Sequence, residues 1–91
     1  MKATKIMMKS SNSSNSLLEI DSIYIDELCR LIKKEKLYDK IEYENWKVNV
    51  DIGPYYPKVE GVISSSGEKY VKSVPNESNV DNLLCLPKVE I

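Results

Sequence analysis

Apolar and polar residues alternate without exception from Trp46 to Ile52, with Trp46, Val48, Val50 and Ile52 on one side and Lys47, Asn49 and Asp51 on the other. A period of two predicts a strand with one buried face, and Gly53 and Pro54 stop it. A further strand is expected over about 58–64. "SSSG" at 64–67 then makes a tight turn, and "EKYVKSV" at 68–74 returns as the second arm of an antiparallel hairpin. Pro75 ends that arm because it has no N–H for the ladder.

The N-terminal half is less regular. Residues 3–8 alternate weakly, with Ile6 and Met8 on one face and Met7 on the other, as in a short strand. Ser10 to Ser16 are all Ser or Asn, a run that buries nothing and predicts a flexible loop over 10–16. "LLEI" at 17–20 reads as a second strand. Asp21 and Ser22 are good N-caps, and Ile25, Leu28, Cys29 and Ile32 fall at i, i+3, i+4 and i+7, which predicts a helix over about residues 22–36. Asp26 and Glu27 in its first turns, with Lys33, Lys34 and Lys36 at its end, would complement the helix dipole. The charged stretch that follows is expected to hold a short strand at Lys40–Tyr43.

These elements predict one α+β domain over residues 1–91: an antiparallel sheet of about four to six short strands with one α-helix packed on a face, in a ββαβββ-like order. The segment 76–91 is left as a docking tail, and it contains the most apolar run in the chain, "LLCL". Terminal segments fray unless something ties them down. The expectation is a structural clamp in which Asp81 and Asn82 form a turn and Leu83, Leu84 and Leu86 cover the part of the sheet that a single helix leaves open.

The same region carries a family resemblance. From Gly67 to Pro87 the chain reads "GEKYVKSVPNESNVDNLLCLP". This resembles the C-terminal pattern "GxxYLRTxPDxTxxDNLxNLP" of a small bacterial family of unknown function, DUF3892. Gly67, Tyr70, Pro75, Asp81, Asn82, Leu83, Leu86 and Pro87 stand in matching places. Departures include Val71 for Leu, Lys72 for Arg, Ser73 for Thr, Asn76 for Asp and Cys85 for Asn. The resemblance implies a hairpin-and-helix layout and carries no activity with it.

Composition narrows the chemistry. Thirteen basic and fourteen acidic side chains give a net charge of −1, so no global field would hold the protein on a polyanion or a bilayer. There is no histidine, so Ser-His-Asp and Cys-His sites are excluded and the usual base near neutral pH is missing. The two cysteines, Cys29 and Cys85, lie far apart and form no metal or redox spacing. With no export signal they are expected to be reduced thiols in a cytoplasmic protein, both packed in the core. Neither a phosphate-binding loop nor a calcium loop is present. The expectation is a protein that is not an enzyme, with no cofactor and no metal; the remaining alternative is an uncharacterised enzyme built on paired acids or a perturbed lysine.

Two stretches remain as binding candidates. "GPYYP" at 53–57 holds Tyr55 and Tyr56 between prolines at a strand connection, a rigid presentation suited to protein anchors; alternatively one ring shields a sheet edge. Trp46 stands nearby in sequence. The other candidate is the lysine-rich end of the predicted helix, Lys33, Lys34, Lys36 and Lys40 with Tyr38, a mixture of cations and rings that single-stranded nucleic acid uses. Glu35, Asp39, Glu42 and Glu44 are interleaved and dilute its potential. The leading expectation is a small protein-binding module, a regulator or inhibitor from a bacterium or a mobile element such as a phage. Its partner would be another protein, with nucleic acid as the alternative, no membrane contact, and a monomeric or homodimeric state.

Overall fold

A computed structural model describes residues 1–9, 16–74 and 82–89. The predicted loop therefore lies outside the described residues except for Ser16, and Asp81 with most of the segment before it lies outside them too.

The first strand, β1 (Lys2–Met8), pairs antiparallel with β2 (Ile20–Ile25), which pairs antiparallel with β3 (Arg30–Lys33). The ladder is irregular for a definite reason. Ala3 faces Ile25 while Lys5 faces Tyr24, so Thr4 is extra; Met7 faces Ser22 while Met8 faces Ile20, so Asp21 is extra. Bulges of this kind shift the alternation by one residue. They bring Ala3, Ile6 and Met8 of β1, and Ile20, Ile23 and Ile25 of β2, into the core together.

This arrangement replaces the helix expected over 22–36. Residues 20–25 are rich in isoleucine, whose branched Cβ favours strands, and a 3-10 turn at Asp26–Leu28 closes the β2–β3 hairpin with Cys29 in the left-handed region at φ 52°. The helical spacing of Ile25, Leu28, Cys29 and Ile32 is accidental: Ile25 and Ile32 are buried on strands, Leu28 is partly buried and Cys29 is exposed.

The helix, α1, spans Lys34–Glu44, and the strand expected at Lys40–Tyr43 lies within it. Its buried stripe is Lys34, Leu37, Tyr38 and Ile41, again i, i+3, i+4 and i+7 but with a lysine in the first place. Lys34 and Lys36 stand in the first turn and Glu42 and Glu44 in the last, the reverse of the order that suits the dipole. Packing holds this helix, as is usual for one of its length. It ends at Asn45, which takes the left-handed conformation at φ 56°, and the N–H of Trp46 donates to the carbonyl of Lys40 at 3.0 Å.

The alternating stretch behaves as expected in its facing: Val48 and Val50 are buried, and Trp46 and Ile52 pack against the core. Only Asn49–Val50 form a ladder, β4, which runs parallel to β1. The four-stranded sheet thus has the order β3-β2-β1-β4. The predicted hairpin is present as β5 (Val59–Ile63) and β6 (Lys69–Ser73), a second, two-stranded sheet. A bridge between Asn49 and Lys58 joins the two sheets, and α1 packs against both strands of the hairpin. Gly67 closes the turn at φ +87°, a conformation only glycine adopts without penalty.

The tail returns to the core. Asn82–Cys85 form a 3-10 turn, and Leu83, Leu84 and Leu86 are buried. The backbone N–H of Ile6 donates to the carbonyl of Pro87 at 3.0 Å, and that of Val89 to the carbonyl of Ile6 at 2.7 Å, so the tail joins β1 as a short parallel bridge beyond β4. The N–H of Asn82 donates to Oγ of Ser73 at 3.2 Å. Cys85 points outward and is exposed, because the turn directs its leucine neighbours inward; Cys29 and Cys85 are both exposed free thiols, contrary to the expectation of core packing.

Candidate functional site

The connection from β4 to β5 carries two exposed large hydrophobic side chains, Tyr55 at 80% and Tyr56 at 50%. Its backbone is well fastened. Asn49 donates Nδ2–H to the carbonyl of Tyr56 at 2.8 Å, the N–H of Tyr56 donates to the carbonyl of Ile52 at 3.0 Å, and the N–H of Val50 donates to the carbonyl of Pro57 at 2.8 Å. Tyr56 has φ 46°, and its ring lies over Gly53, where a Cβ would come within 3.0 Å of the hydroxyl. The two rings therefore differ: Tyr56 is folded against its own loop and Tyr55 stands in solvent.

Next to this tip, between the end of α1 and β5, lies a groove of about 270 Å³ walled by Glu42, Trp46, Lys47, Lys58 and Glu60. Trp46 forms part of the wall because the left-handed end of α1 turns the chain there. The ammonium of Lys40 sits 5.5 Å from the centre of the indole ring and pairs with Glu44 at 2.9 Å, a cation–π contact. The floor is set by Gly61. A Cβ at this position would lie 2.6 Å from Cδ2 of Tyr38 and 2.9 Å from Cγ of Glu42, so the glycine lets helix and strand approach. Lys58 follows Pro57 directly, which makes tip and groove neighbours.

The lysine-rich candidate is dispersed. Lys33 lies on β3, where its ammonium is held by Asp21 at 2.9 Å. Lys34 is 1% exposed, and its ammonium donates to the carbonyl of Leu18 at 3.0 Å and to Glu68 at 2.5 Å. Tyr38 is buried beneath Lys69, whose ammonium is 5.4 Å from that ring, 5.8 Å from the Tyr43 ring and 2.9 Å from Asp39. The Asp39 carboxylate holds Lys69 above its ordinary value. Lys36 is exposed, and Lys40 is engaged by Trp46 and Glu44. The expectation of one open face of cations and rings fails because it rested on a helix ending at 36; with the helix beginning at 34, the same residues divide between core and surface.

Sequence reasoning missed the Lys34–Glu68 pair and the groove. The first was hidden because a lysine occupies a core position of the helical stripe. Glu68 also receives Lys9 at 3.3 Å, and the hydrogen bond from Lys34, then that from Lys9, holds its carboxyl below the ordinary value. The second could have been found in part, since Lys47 is a polar position of the alternating stretch and Lys58 flanks the tip.

Among the described residues no group of three or more His, Cys, Asp or Glu side chains could hold a metal ion, and no helix is long and apolar enough to cross a membrane. No curated protein and no solved structure is matched by this chain. Several residues behind the C-terminal resemblance serve the fold: Gly67 in its turn, Leu83 and Leu86 in the core, Pro87 bonded to β1. Residues 3–87 match the model of the family described as Protein of unknown function (DUF3892), nearly the whole chain, and the protein belongs to that family.

Proposed function

We propose that the protein is a small, non-enzymatic protein-binding module that docks through the face formed by Tyr55, Tyr56 and Trp46. The observation that carries this reading is the exposure of two tyrosines on a loop whose backbone is fixed by hydrogen bonds at Asn49, Val50 and Tyr56. A ring presented on an ordered backbone loses little conformational entropy on binding, which is why aromatic anchors dominate many interfaces. The chain runs from the tyrosines through Pro57 to Lys58 on the wall of the groove, and Trp46, partly covered, lines that groove as a third ring.

The test is quantitative capture of a partner by the wild-type protein and by a Tyr55→Ser/Tyr56→Ser variant. Both side chains are outside the core, so the variant is expected to keep the wild-type unfolding midpoint. The reading expects capture to fall at least tenfold, the loss of one modest anchor of about 1.4 kcal/mol or more. Undiminished capture by a folded variant removes the tip from the binding face.

A further inference from the structure

The groove beside the tip has a charge pattern that speaks to the partner's chemistry. Lys47 and Lys58 are both exposed, and neither has an ion-pair partner among the described residues. Of the two carboxylates on the same wall, Glu60 is engaged by Lys72 at 3.6 Å, and Glu42 has no ion-pair partner among the described residues. The Lys40 ammonium over the Trp46 ring adds a third cation near the rim, itself shared with Glu44. The unsatisfied charge of the groove is therefore positive on a protein whose net charge is −1.

Size narrows the occupant further. About 270 Å³ is below the usual range of small-molecule sites, roughly 300–1,000 Å³, and suits one or two side chains of a peptide. Two free lysines interrupted by Glu42 and Glu60 make a poor track for a continuous polyanion, which wants an unbroken cationic groove with successive stacking rings. They fit a short acidic segment with an apolar neighbour, whose carboxylates meet the lysines while the apolar group lies against the indole.

We infer that this groove receives an acidic segment of the partner protein, with Lys47 and Lys58 as the charge contacts and Trp46 as the apolar wall. The inference rests on the protein-binding reading and adds the partner's chemistry to it. Charge contacts of this kind at a rim set encounter rate and selectivity more than affinity, so the effect is expected to weaken with salt over the screening range.

Trp46 is the sole tryptophan of the chain, so its indole N–H gives one unambiguous signal in an amide correlation spectrum of the full chain. The probe is the capped peptide acetyl-Asp-Glu-Leu-Glu-Asp-amide. Its lysine counterpart, with Lys at the acidic positions, and a short oligothymidylate serve as comparisons. The expected result is a saturable shift of the Trp46 indole and of the Lys47 and Lys58 amides with the acidic peptide only. Apparent affinity should fall about threefold to tenfold between low salt and about 0.2 M salt, and the shift should be lost in Lys47→Glu/Lys58→Glu. If charge reversal perturbs the spectrum as a whole, Lys47→Gln/Lys58→Gln is used and should weaken the shift severalfold. The inference is overturned by no saturable shift at millimolar peptide, by a shift that survives both charge variants, or by the basic peptide or the oligonucleotide occupying the groove instead. If those results occur while the tyrosine variant still loses its partner, the acidic-segment inference alone fails; if the peptide binds but tyrosine substitution leaves capture intact, the tip assignment alone fails.

Discussion

Replacing Leu83 by alanine tests whether the tail belongs to the fold. Leu83 is fully buried, and its segment is tied down by backbone hydrogen bonds from Ile6 to Pro87 and from Val89 to Ile6. The substitution removes Cγ and both Cδ carbons from the core, about 2.4 kcal/mol at ~0.8 kcal/mol per buried carbon group. A rigidly held site adds the cost of the unfilled cavity, which raises the total to about 3–5 kcal/mol. A chain of this length has a total stability of roughly 5–14 kcal/mol, so the variant sits near the edge of folding. Urea unfolding followed by Trp46 fluorescence measures the effect, because that ring packs against the core. With an m-value of about 1–3 kcal/mol/M, the midpoint should fall by about 1–5 M with the slope unchanged. Cys85→Ser, on an exposed neighbour in the same turn, is the control and should stay within about 0.5 kcal/mol of wild type. A Leu83→Ala midpoint indistinguishable from that control would refute the docking of the tail and turn "LLCL" into a segment available to a partner.

Gly61→Ala should destabilise by about 1–3 kcal/mol, since its methyl group would press on the Tyr38 ring and Glu42; equilibrium unfolding checks it, and a neutral result would mean that α1 does not lie this close to β5. Glu68→Gln should lower the melting temperature at pH 7 but not at acid pH. The folded protein holds the Glu68 carboxyl below its ordinary value of 4.5 through Lys34 and Lys9, so its contribution is complete above that value and vanishes as pH falls through the lower, folded value; thermal melts across pH 7 to 3 should show the two proteins converging. Both Cys29 and Cys85 should react with a soluble thiol reagent in the native protein, because both are exposed; titration of fewer than two thiols without denaturant would contradict their placement.

The parts of the fold that were legible in the sequence are those with an undisturbed period. The alternation from Trp46 to Ile52 gave the right inward residues, Val48 and Val50, although only Asn49 and Val50 form a ladder. The β5–β6 hairpin was legible from its turn, with Gly67 supplying the positive φ, and the apolar tail declared its burial through Leu83, Leu84 and Leu86. The failures have physical causes. Bulges at Thr4 and Asp21 break the period of β1 and β2, while Ile25 at the end of β2, Leu28 and Cys29 in the turn and Ile32 on β3 fall at helical spacing by accident. The true helical stripe began with Lys34, a residue type that enters a core only with partners such as Leu18 and Glu68, which lie far off in sequence. A helix placed over 22–36 puts the lysines around it on one face; a helix over Lys34–Glu44 divides them between core and surface. The tyrosine tip was legible as a tip; the groove was not, because its walls come from α1, the turn after it and β5.

The proposed protein-docking face joins the tyrosine tip to the groove beside it. The most direct measurement is affinity capture from cells that naturally express the protein, comparing wild type with Tyr55→Ser/Tyr56→Ser, each with and without nuclease treatment. One protein is expected to be recovered in near-stoichiometric amount by wild type in both treatments and to be lost by the tyrosine variant. Recovery that disappears on nuclease treatment, or that the tyrosine variant retains in full, would contradict it.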